Sequence, residues 1–444
     1  MKLDARELLE NLVSFNTVND LSKGIKTTSD CPKYINEIME RSGFKTSILE
    51  SEGFYTSIGE KGEGSFSILF LAHFDVVPVG EGWDSDPFTL RVEGDRAFGR
   101  GTCDDKGNIV SMLLLAELLN EKELPCRVIL ASAGDEEIGG RNGAYVLANQ
   151  MLEKNEFPDY IVIADGVKQQ IIHRRRNILP TYFKVKSSLA KTRGRKETIR
   201  FTTDTFGTGS RHSAYLRLGV DRHAMLAASK YLDINPNTVV QDVRGAFIKS
   251  NVVPDWVELD IVHIDASEEE VDYDASLTDL MRSLLAINQA SFPTQPSDKG
   301  TMIYPNLLSV EDGLWTLYCD IRSMTNDGDS VHQAFKSALK GKVDLQSIDV
   351  RAGIGYVDSD PDAPLMKAAS WALKQEGIVH KIVEGFGGSD SRYFAGHGSD
   401  VFDFGPRGEN LHGANEWVSL ESLEENARFF YRLIQALTMK PQPY

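Results

Sequence analysis

Imidazole and carboxylate side chains stand directly after three apolar runs that are typical of buried strands. Five such residues occur in turn: His73, Asp75, Glu136, Glu137 and Asp165. In open α/β sheets, ligands bind beyond the carboxyl ends of the strands, where neighbouring loops diverge. These nitrogen and oxygen donors suit divalent zinc, cobalt or manganese, and the lack of cysteine among them favours a hydrolytic site over a structural one.

Two more residues extend this set. Asp104 lies in the Gly-rich turn 99–107, and His412 follows the last predicted strand by a few residues. A single histidine or aspartate at a strand end is more often a cap or a satisfied loop residue than a ligand. The recurrence of such residues at one edge of one predicted sheet is what predicts a divalent metal centre.

The elements that must position these residues alternate between apolar runs and helical stretches. Strands are predicted over 66–72, 126–131 and 160–164, and helices over 4–15, 32–42 and 108–120. This alternation predicts an α/β domain whose mixed, largely parallel sheet is flanked by helices. The three strands are continuous apolar runs, which is typical of strands that are buried on both faces.

The character of the sequence changes from about Ile171, where it becomes basic and polar. We therefore expect one domain made of residues 1–171 and 353–444, with a smaller inserted α+β two-layer domain over 172–352. Within the insert, a helix is predicted over 213–232.

Composition excludes several classes of protein. The 444 residues include 48 Lys and Arg against 65 Asp and Glu, a formal net charge of −17, which disfavours nucleic acid or an anionic membrane as the main partner. Four widely spaced cysteines without a CxxC pair, and an amino terminus without an apolar signal core, predict reduced thiols in a cytoplasmic protein.

Four sequence blocks carry a resemblance to a known family. They are Ala72–Pro78, Gly99–Gly107, Gly134–Gly140 and Gly387–Arg392. In this order they resemble the co-catalytic di-zinc amidohydrolases, which include acetylornithine deacetylase, succinyl-diaminopimelate desuccinylase, the aminoacylases, and the glutamate carboxypeptidases and dipeptidases. The resemblance implies the zinc-peptidase type of catalytic domain with its inserted lid.

The resemblance also implies a set of metal ligands. Asp104 would bridge two divalent metal ions, expected to be Zn²⁺, with Co²⁺ or Mn²⁺ as alternatives. His73 and Asp165 would complete one metal site, and Glu137 and His412 would complete the other.

Two further carboxylates would act beside the metals. Asp75 would accept the imidazole N–H of His73 and fix its tautomer. Glu136 would be the general base, because the carboxylate of its neighbour Glu137 would be engaged by metal while that of Glu136 stays available for a proton. The alternative reading of the two glutamates is a helix amino-terminal cap.

In the insert, the resemblance points to a lid histidine. His212 would reach a site as an oxyanion donor, across a homodimer that pairs through the lid domain. The alternatives are that His223 takes this role, or that His212 is a surface histidine at a helix start.

Substrate-binding roles follow from the resemblance for four other residues: Asn251, Arg322, Gly388 and Ser389. Arg322 would clamp a substrate carboxylate through its planar guanidinium, with an ordinary surface strand charge as the alternative. The basic run Arg174–Arg176 could recognise an acidic acyl group, but a cluster of salt bridges is the favoured interpretation.

The substrate class stays open at this point. The leading interpretation is an N-acyl amino acid deacylase, similar to acetylornithine deacetylase or succinyl-diaminopimelate desuccinylase, that cleaves an amide next to a free carboxylate. A dipeptidase or carboxypeptidase on the same site is the alternative, a carbamoylase is a third option, and a non-catalytic binding protein of the same fold is a remote one. The expected partner is a small N-acyl amino acid or a short peptide.

Overall fold

The computed structural model describes residues 3–206, 212–213, 216–217, 219–351, 353, 355–385 and 387–439. The chain divides into two compact units. The first comprises Met1–Arg175, Val357–Gly385 and Ser389–Tyr444, and the second comprises Arg176–Tyr356 with Phe386–Gly388. No helix within the described ranges is long and apolar enough to cross a membrane.

The first unit begins with four helices and eight strands. In chain order they are α1 (Ala5–Ser14), α2 (Asp30–Arg41), β1 (Lys45–Ser51), β2 (Phe54–Lys61), β3 (Ser67–His73), β4 (Arg91–Glu93), β5 (Arg96–Phe98), α3 (Lys106–Leu118), β6 (Arg127–Ala133), α4 (Ala144–Glu153), β7 (Tyr160–Ile163) and β8 (Ile171–Arg175).

The second unit follows. Its elements are β9 (Asn177–Ile178), β10 (Thr181–Lys186), β11 (Leu189–Thr202), α5 (Ala224–Ile234), β12 (Thr238–Gly245), β13 (Trp256–Ile264), β14 (Glu270–Asp274), α6 (Ala275–Asn288), β15 (Met302–Glu311), β16 (Leu314–Ser323), α7 (Gly328–Leu339) and β17 (Ser347–Val350).

The chain then returns to the first unit. The closing elements are β18 (Val357–Asp358), α8 (Pro364–Gln375), β19 (Ile382–Gly385), β20 (Asp400–Asp403), β21 (Gly408–Glu409), β22 (Trp417–Ser419) and α9 (Leu420–Thr438).

The main sheet of the first unit has nine strands in the order β1-β2-β6-β3-β7-β20-β8-β18, with β19 paired to β8. The central strand β3 runs parallel to both β6 and β7, while β1, β2 and β18 add antiparallel pairs at the edges. The prediction of a mixed sheet flanked by helices is confirmed. Because β3, β6 and β7 are parallel, their carboxyl ends meet at one edge of the sheet.

Side chains of β3 alternate between two hydrophobic cores. Ile68 and Phe70 pack in the core that includes α3 and α9, and Leu69 and Leu71 pack in the core that includes α4. The strand is therefore covered on both faces, as its continuous apolar run predicts. Its last residue, His73, is fixed in position by this packing.

The second unit contains two sheets. One has five strands, with the order β15-β16-β10-β17 and β9 paired to β16, and the other has the order β12-β13-β11-β14. Helices α5, α6 and α7 share a core with both sheets. The basic stretch near its start is the long strand β11, whose cations pair with acids of adjacent strands, as in Lys191–Glu270 at 2.9 Å and Arg200–Glu258 at 3.4 Å.

The predicted helix over 213–232 is wrong for the described residues before Ala224, while 214, 215 and 218 lie outside the described residues. Helix α5 begins at Ala224, and the His223 imidazole caps it by accepting the N–H of Met225 at 3.2 Å. Before this point, Gly219 has a left-handed φ of 76°, and Arg222 forms a bridge with Asp204. A left-handed glycine followed by an extended bridge interrupts helical hydrogen bonding.

Candidate metal centre

His73, at the end of β3, is buried and faces carboxylates through both ring nitrogens. Its Nε2 lies 3.0 Å from Oδ1 of Asp104. Its Nδ1 lies 3.0 Å from the main-chain carbonyl oxygen of Asp75 and 3.4 Å from the Asp75 carboxylate. The carbonyl oxygen, and not the predicted carboxylate, is thus the nearer partner of Nδ1.

The Asp75 carboxylate has another principal contact. It accepts the main-chain N–H groups of Glu136 at 3.0 Å and Glu137 at 3.2 Å, and the Asn19 side chain at 3.0 Å. Both glutamates lie on the short 3₁₀ helix Glu136–Ile138, which follows β6. Asp75 therefore holds the glutamate turn against the end of β3.

Asp104 lies between the two predicted histidine ligands. Its Oδ2 is 3.1 Å from Nε2 of His412, while its Oδ1 faces His73. The same His412 nitrogen is 3.1 Å from Oε1 of Glu137. His412 is the most open of these groups, with 55% of its side chain exposed. The structure thus brings His73, Asp104, Glu137 and His412 together.

Asp165 follows β7 and belongs to the same region. Ligand atoms of His73, Asp104 and Glu137 all lie within 4.8 Å of one another, and so do those of His73, Asp105 and Asp165. Asp105 does not belong to the predicted ligand set, and its oxygens also accept the His73 N–H at 3.0 Å and the Asn108 amide at 2.6 Å. Two overlapping groups of donors therefore share His73.

Burial perturbs the ionisation of these carboxylates. Burial and the nearby Asp104 charge raise the pKa of Glu137 to about 7. Burial also raises the pKa of Glu136, and burial together with Glu136 raises the pKa of Asp165 well above its usual range. Burial opposes ionisation of Asp104 as well, but hydrogen bonds from His412 and His73 outweigh it and lower the pKa of that group.

These residues fit divalent cations. Their donors are imidazole nitrogens and carboxylate oxygens, the set that zinc, cobalt and manganese accept. The raised pKa values of Glu137 and Asp165 show that burial disfavours several negative charges in this pocket. A bound cation would offset that cost and keep the carboxylates ionised.

The predicted substrate residues of the second unit form their own cluster. His212 pairs with Val252 in an isolated β-bridge, and its Nε2 is 3.3 Å from the side-chain nitrogen of Asn251. Arg322, in β16, is buried and donates from Nε to Asp320 at 3.2 Å, so it is not the surface strand charge of the alternative interpretation. His223 is a buried cap of α5.

Ser389 and Gly388 differ in exposure. Gly388 is partly exposed, whereas Ser389 is buried. The Ser389 hydroxyl donates to Asp403 at 2.9 Å and accepts the N–H of Ser391 at 3.2 Å, which caps the short 3₁₀ helix Asp390–Tyr393. Its hydroxyl therefore has internal partners, and its contact with a substrate carboxylate stays a prediction.

The basic run Arg174–Arg176 forms ion pairs, as the favoured interpretation predicts. Arg174 contacts Asp358 at 2.7 Å and Glu384 at 2.9 Å, and Arg175 forms a close ion pair with Asp403. Arg175 also donates to the carbonyl oxygen of Asp165 at 3.3 Å, so one arginine of the run supports the loop of a predicted ligand.

Sequence reasoning missed the residues that hold the ligand loops. Glu416 and Arg100 form a fully buried ion pair next to Asp104. Arg392 and Tyr393 both donate to the carbonyl oxygen of Gly139, which ends the Glu136–Ile138 helix. Nothing in the local sequence separates Glu416 from an exposed loop glutamate. Its position four residues after His412 is the only available signal.

The main sheet is mixed, and imidazoles and carboxylates gather beyond the ends of its parallel strands. This fold and this site are typical of metallohydrolases. Comparison with known proteins names the family. The sequence profile described as Peptidase family M20/M25/M40 matches residues 69–436. The chain belongs to this family and is a hydrolytic enzyme, so the remote alternative of a non-catalytic binding protein is set aside.

Individual relatives share limited sequence identity with this chain. Succinyl-diaminopimelate desuccinylase of Nautilia profundicola is 25% identical over 375 residues, which cover 84% of this chain and 85% of that protein. The enzyme of the same name from Gluconobacter oxydans is 37% identical over 112 residues, but this match spans only 25% of this chain and 29% of that protein. The crystal structure of aminoacylhistidine dipeptidase from Vibrio alginolyticus superposes with a TM-score of 0.72 at 16% identity, covering 98% and 97% of the two chains.

Proposed function

We propose that this enzyme hydrolyses an amide bond next to a free carboxylate, with an N-acyl amino acid as its substrate and two divalent metal ions as cofactors. The observation that carries the proposal is the position of Glu136. Its carboxylate is partly buried beside the donor groups and has no hydrogen-bond donor among the described residues, while its neighbour Glu137 faces His412. This is the arrangement that a general base beside a metal centre requires.

The ligand roles belong to the same proposal. His73, Asp104, Glu137, Asp165 and His412 would hold the two metal ions. When bound, such ions supply Lewis acidity, which polarises a scissile carbonyl and lowers the pKa of water. Zinc is the proposed metal, since the donor set has no feature that selects against it.

Glu136 would carry the proton through the reaction. Its carboxylate would take a proton from the attacking water and then deliver it to the nitrogen of the leaving amine. The raised pKa of Glu136, caused mainly by burial, suits this double role because a carboxylate that holds a proton too weakly cannot donate it. Asp75 supports the step by fixing the main chain of Glu136.

Fewer observations bear on the substrate than on the metal ligands. The predicted roles of His212, Asn251, Arg322 and Gly388 in substrate binding remain proposals, as do the homodimer and the cytoplasmic location. The long match to a desuccinylase supports the deacylase branch. A dipeptidase or carboxypeptidase is the second candidate, and the peptidase description of the family supports it.

Turnover by metal-free protein that has been reloaded with Zn²⁺ or Co²⁺ tests the proposal. The substrate panel contains N-succinyl-diaminopimelate, N-acetylornithine, other N-acetyl amino acids and dipeptides. We expect metal-dependent cleavage of one class, and Glu136→Gln should lower kcat by roughly 10²–10⁴ while metal binding persists.

Glu153→Gln is the matched control, because Glu153 is an exposed glutamate at the end of α4 in the same unit. This variant should keep wild-type turnover. Cleavage of dipeptides alone would select the second candidate. A Glu136→Gln variant with wild-type kcat would contradict the proposed role of Glu136 on any substrate.

A further inference from the structure

Arg100 and Glu416 form an ion pair that is almost completely enclosed. Arg100 donates from Nη1 to Oε2 of Glu416 at 2.8 Å, and each side chain is only 1% exposed. Burying a charged pair is costly unless further hydrogen bonds satisfy both partners. The remaining partners of these two residues therefore indicate what the pair is for.

Glu416 is bound to the loop that carries Asp104. Its Oε1 accepts the main-chain N–H groups of Cys103 at 2.9 Å and Asp104 at 3.0 Å, and its Oε2 accepts that of Gly101 at 3.1 Å. Three amides of one turn are thus directed at one carboxylate. This fixes the main chain of Asp104, the residue that faces both His73 and His412.

Arg100 makes the reciprocal contact. It lies at the start of the Asp104 loop, but its Nη2 donates to the carbonyl oxygen of His412 at 3.3 Å. His412 has a left-handed φ of 63°, which a histidine rarely adopts, so its loop needs outside support. Arg100 supplies part of that support from the opposite loop.

The main chain adds to the same connection. The N–H of Gly99 donates to the carbonyl oxygen of Glu416 at 3.0 Å, and β22, which starts at Trp417, pairs with β5 through Phe98. Each loop therefore carries one member of the ion pair, and each member binds the other loop. The loops of Asp104 and His412 are thus joined by a crossed arrangement.

We infer that Glu416 and Arg100 are positioning residues that hold Asp104 and His412 at the spacing that metal binding requires. This inference rests on the proposed metal site and goes beyond it, because both side chains are buried and bind the main chain of the ligand loops. Partners that orient metal ligands typically change metal affinity by 10- to 100-fold when they are replaced.

Zinc titration of the metal-free full-length protein by calorimetry tests the inference in wild type and in Glu416→Gln. The glutamine has the same shape, but its NH₂ group must face main-chain N–H donors or Arg100. We expect the wild-type protein to bind two zinc ions. In Glu416→Gln, at least one of them should bind about tenfold more weakly or worse. The visible absorption of the Co²⁺-loaded protein should change as well, since it reports ligand geometry.

Asp274→Asn separates positioning from general destabilisation. Asp274 is also a buried carboxylate with four donors, namely Ser187 at 2.7 Å, Ser188 at 3.2 Å, Leu277 at 3.0 Å and Trp315 at 2.8 Å, but it lies in the second unit. This variant should lower the melting temperature and leave zinc affinity and the Co²⁺ spectrum unchanged.

Arg100→Lys is an independent test of the inference, and it replaces Glu416→Gln if that variant does not fold. The lysine keeps the positive charge and loses the fork that spans Glu416 and His412. Weaker zinc binding by this variant supports the inference. Folded variants that bind both ions with wild-type affinity and spectrum overturn it, while the proposed function stands. A wild-type protein that binds no zinc overturns the proposed function and the inference together.

Discussion

The pocket around Asp104 and the cluster around Arg322 are built from similar chemical groups but are supported differently. In the pocket, residues at the ends of three parallel, fully buried strands converge, and buried carboxylates bind the main chain of the connecting loops. In the cluster, His212 forms an isolated bridge with Val252 and contacts the Asn251 side chain, and Asp320 contacts both Ser213 and Arg322.

The two kinds of support suit different functions. A site that holds metal ions needs fixed ligand spacing, which sheet edges and buried carboxylates provide. A region that recognises the variable part of a substrate does not need such fixed spacing.

The largest effect is expected at Asp75. Asp75→Asn places an amide against the N–H groups of Glu136 and Glu137, so the glutamate turn should loosen. We expect kcat/KM to fall by about 10- to 100-fold in a folded protein, measured as metal-dependent turnover.

Asp159→Asn is the control. The exposed Asp159 accepts the N–H of Ser67 at 2.7 Å, at the start of β3, whereas Asp75 lies just beyond the end of that strand. It should keep activity within about twofold, since ordinary surface substitutions have small effects. Full activity in Asp75→Asn would mean that the pocket does not need fixed main-chain geometry.

A smaller and different effect is expected at Arg322. If this arginine holds a substrate carboxylate, Arg322→Lys removes the planar fork and should raise KM by about tenfold with little change in kcat. Steady-state kinetics on the best substrate of the panel measures the split.

The control for this prediction is Arg244→Lys. Arg244 is also paired with an aspartate, Asp260 at 2.6 Å, but 49% of its side chain is exposed and it lies on another sheet of the second unit. Arg244→Lys should leave kcat and KM unchanged. A fall in kcat at constant KM in Arg322→Lys would assign Arg322 to the chemical step and remove the contrast between the two regions.

The smallest effect concerns stability in the second unit. Burial lowers the pKa of His223 to about 4, from an ordinary value near 6.5. Between these values the unfolded chain binds a proton that the folded chain excludes, so the free energy of unfolding should fall as pH decreases from about 6.5 to 4, by roughly 2 to 3 kcal/mol.

His223→Asn keeps a capping side chain for α5 and removes the titration. Urea unfolding of both proteins at pH 7 and pH 4.5 gives the comparison, because other groups titrate equally in each. The wild type should lose more stability than the variant on acidification. Equal losses would show that His223 is not excluded from protonation in the folded protein.

Much of the fold and the pocket could be predicted because strong local signals coincide with function. The apolar run that ends at His73 predicts a strand covered on both faces, and the structure confirms it. The structure also gathers the predicted donors of the pocket, although their roles as ligands remain predictions. Parallel strand ends, once predicted, bring their following residues to one edge by geometry alone.

The rest depends on tertiary contacts that leave no local pattern. Glu416 is important because three amides and Arg100, distant in sequence, converge on it. Ser389 stands in a predicted substrate block, yet its hydroxyl binds Asp403, a partner that only the folded chain brings close. The predicted helix over 213–232 begins too early, because the periodicity of apolar residues does not reveal the left-handed glycine at residue 219.

Anomalous diffraction at the zinc edge, from crystals of the zinc-loaded protein, shows directly which residues bind the metal ions. The account predicts two zinc ions in the first unit, one contacted by His73 and Asp165 and the other by Glu137 and His412, with Asp104 touching both and Glu136 touching neither. Zinc bound by Glu136, or no zinc at these residues, would contradict it.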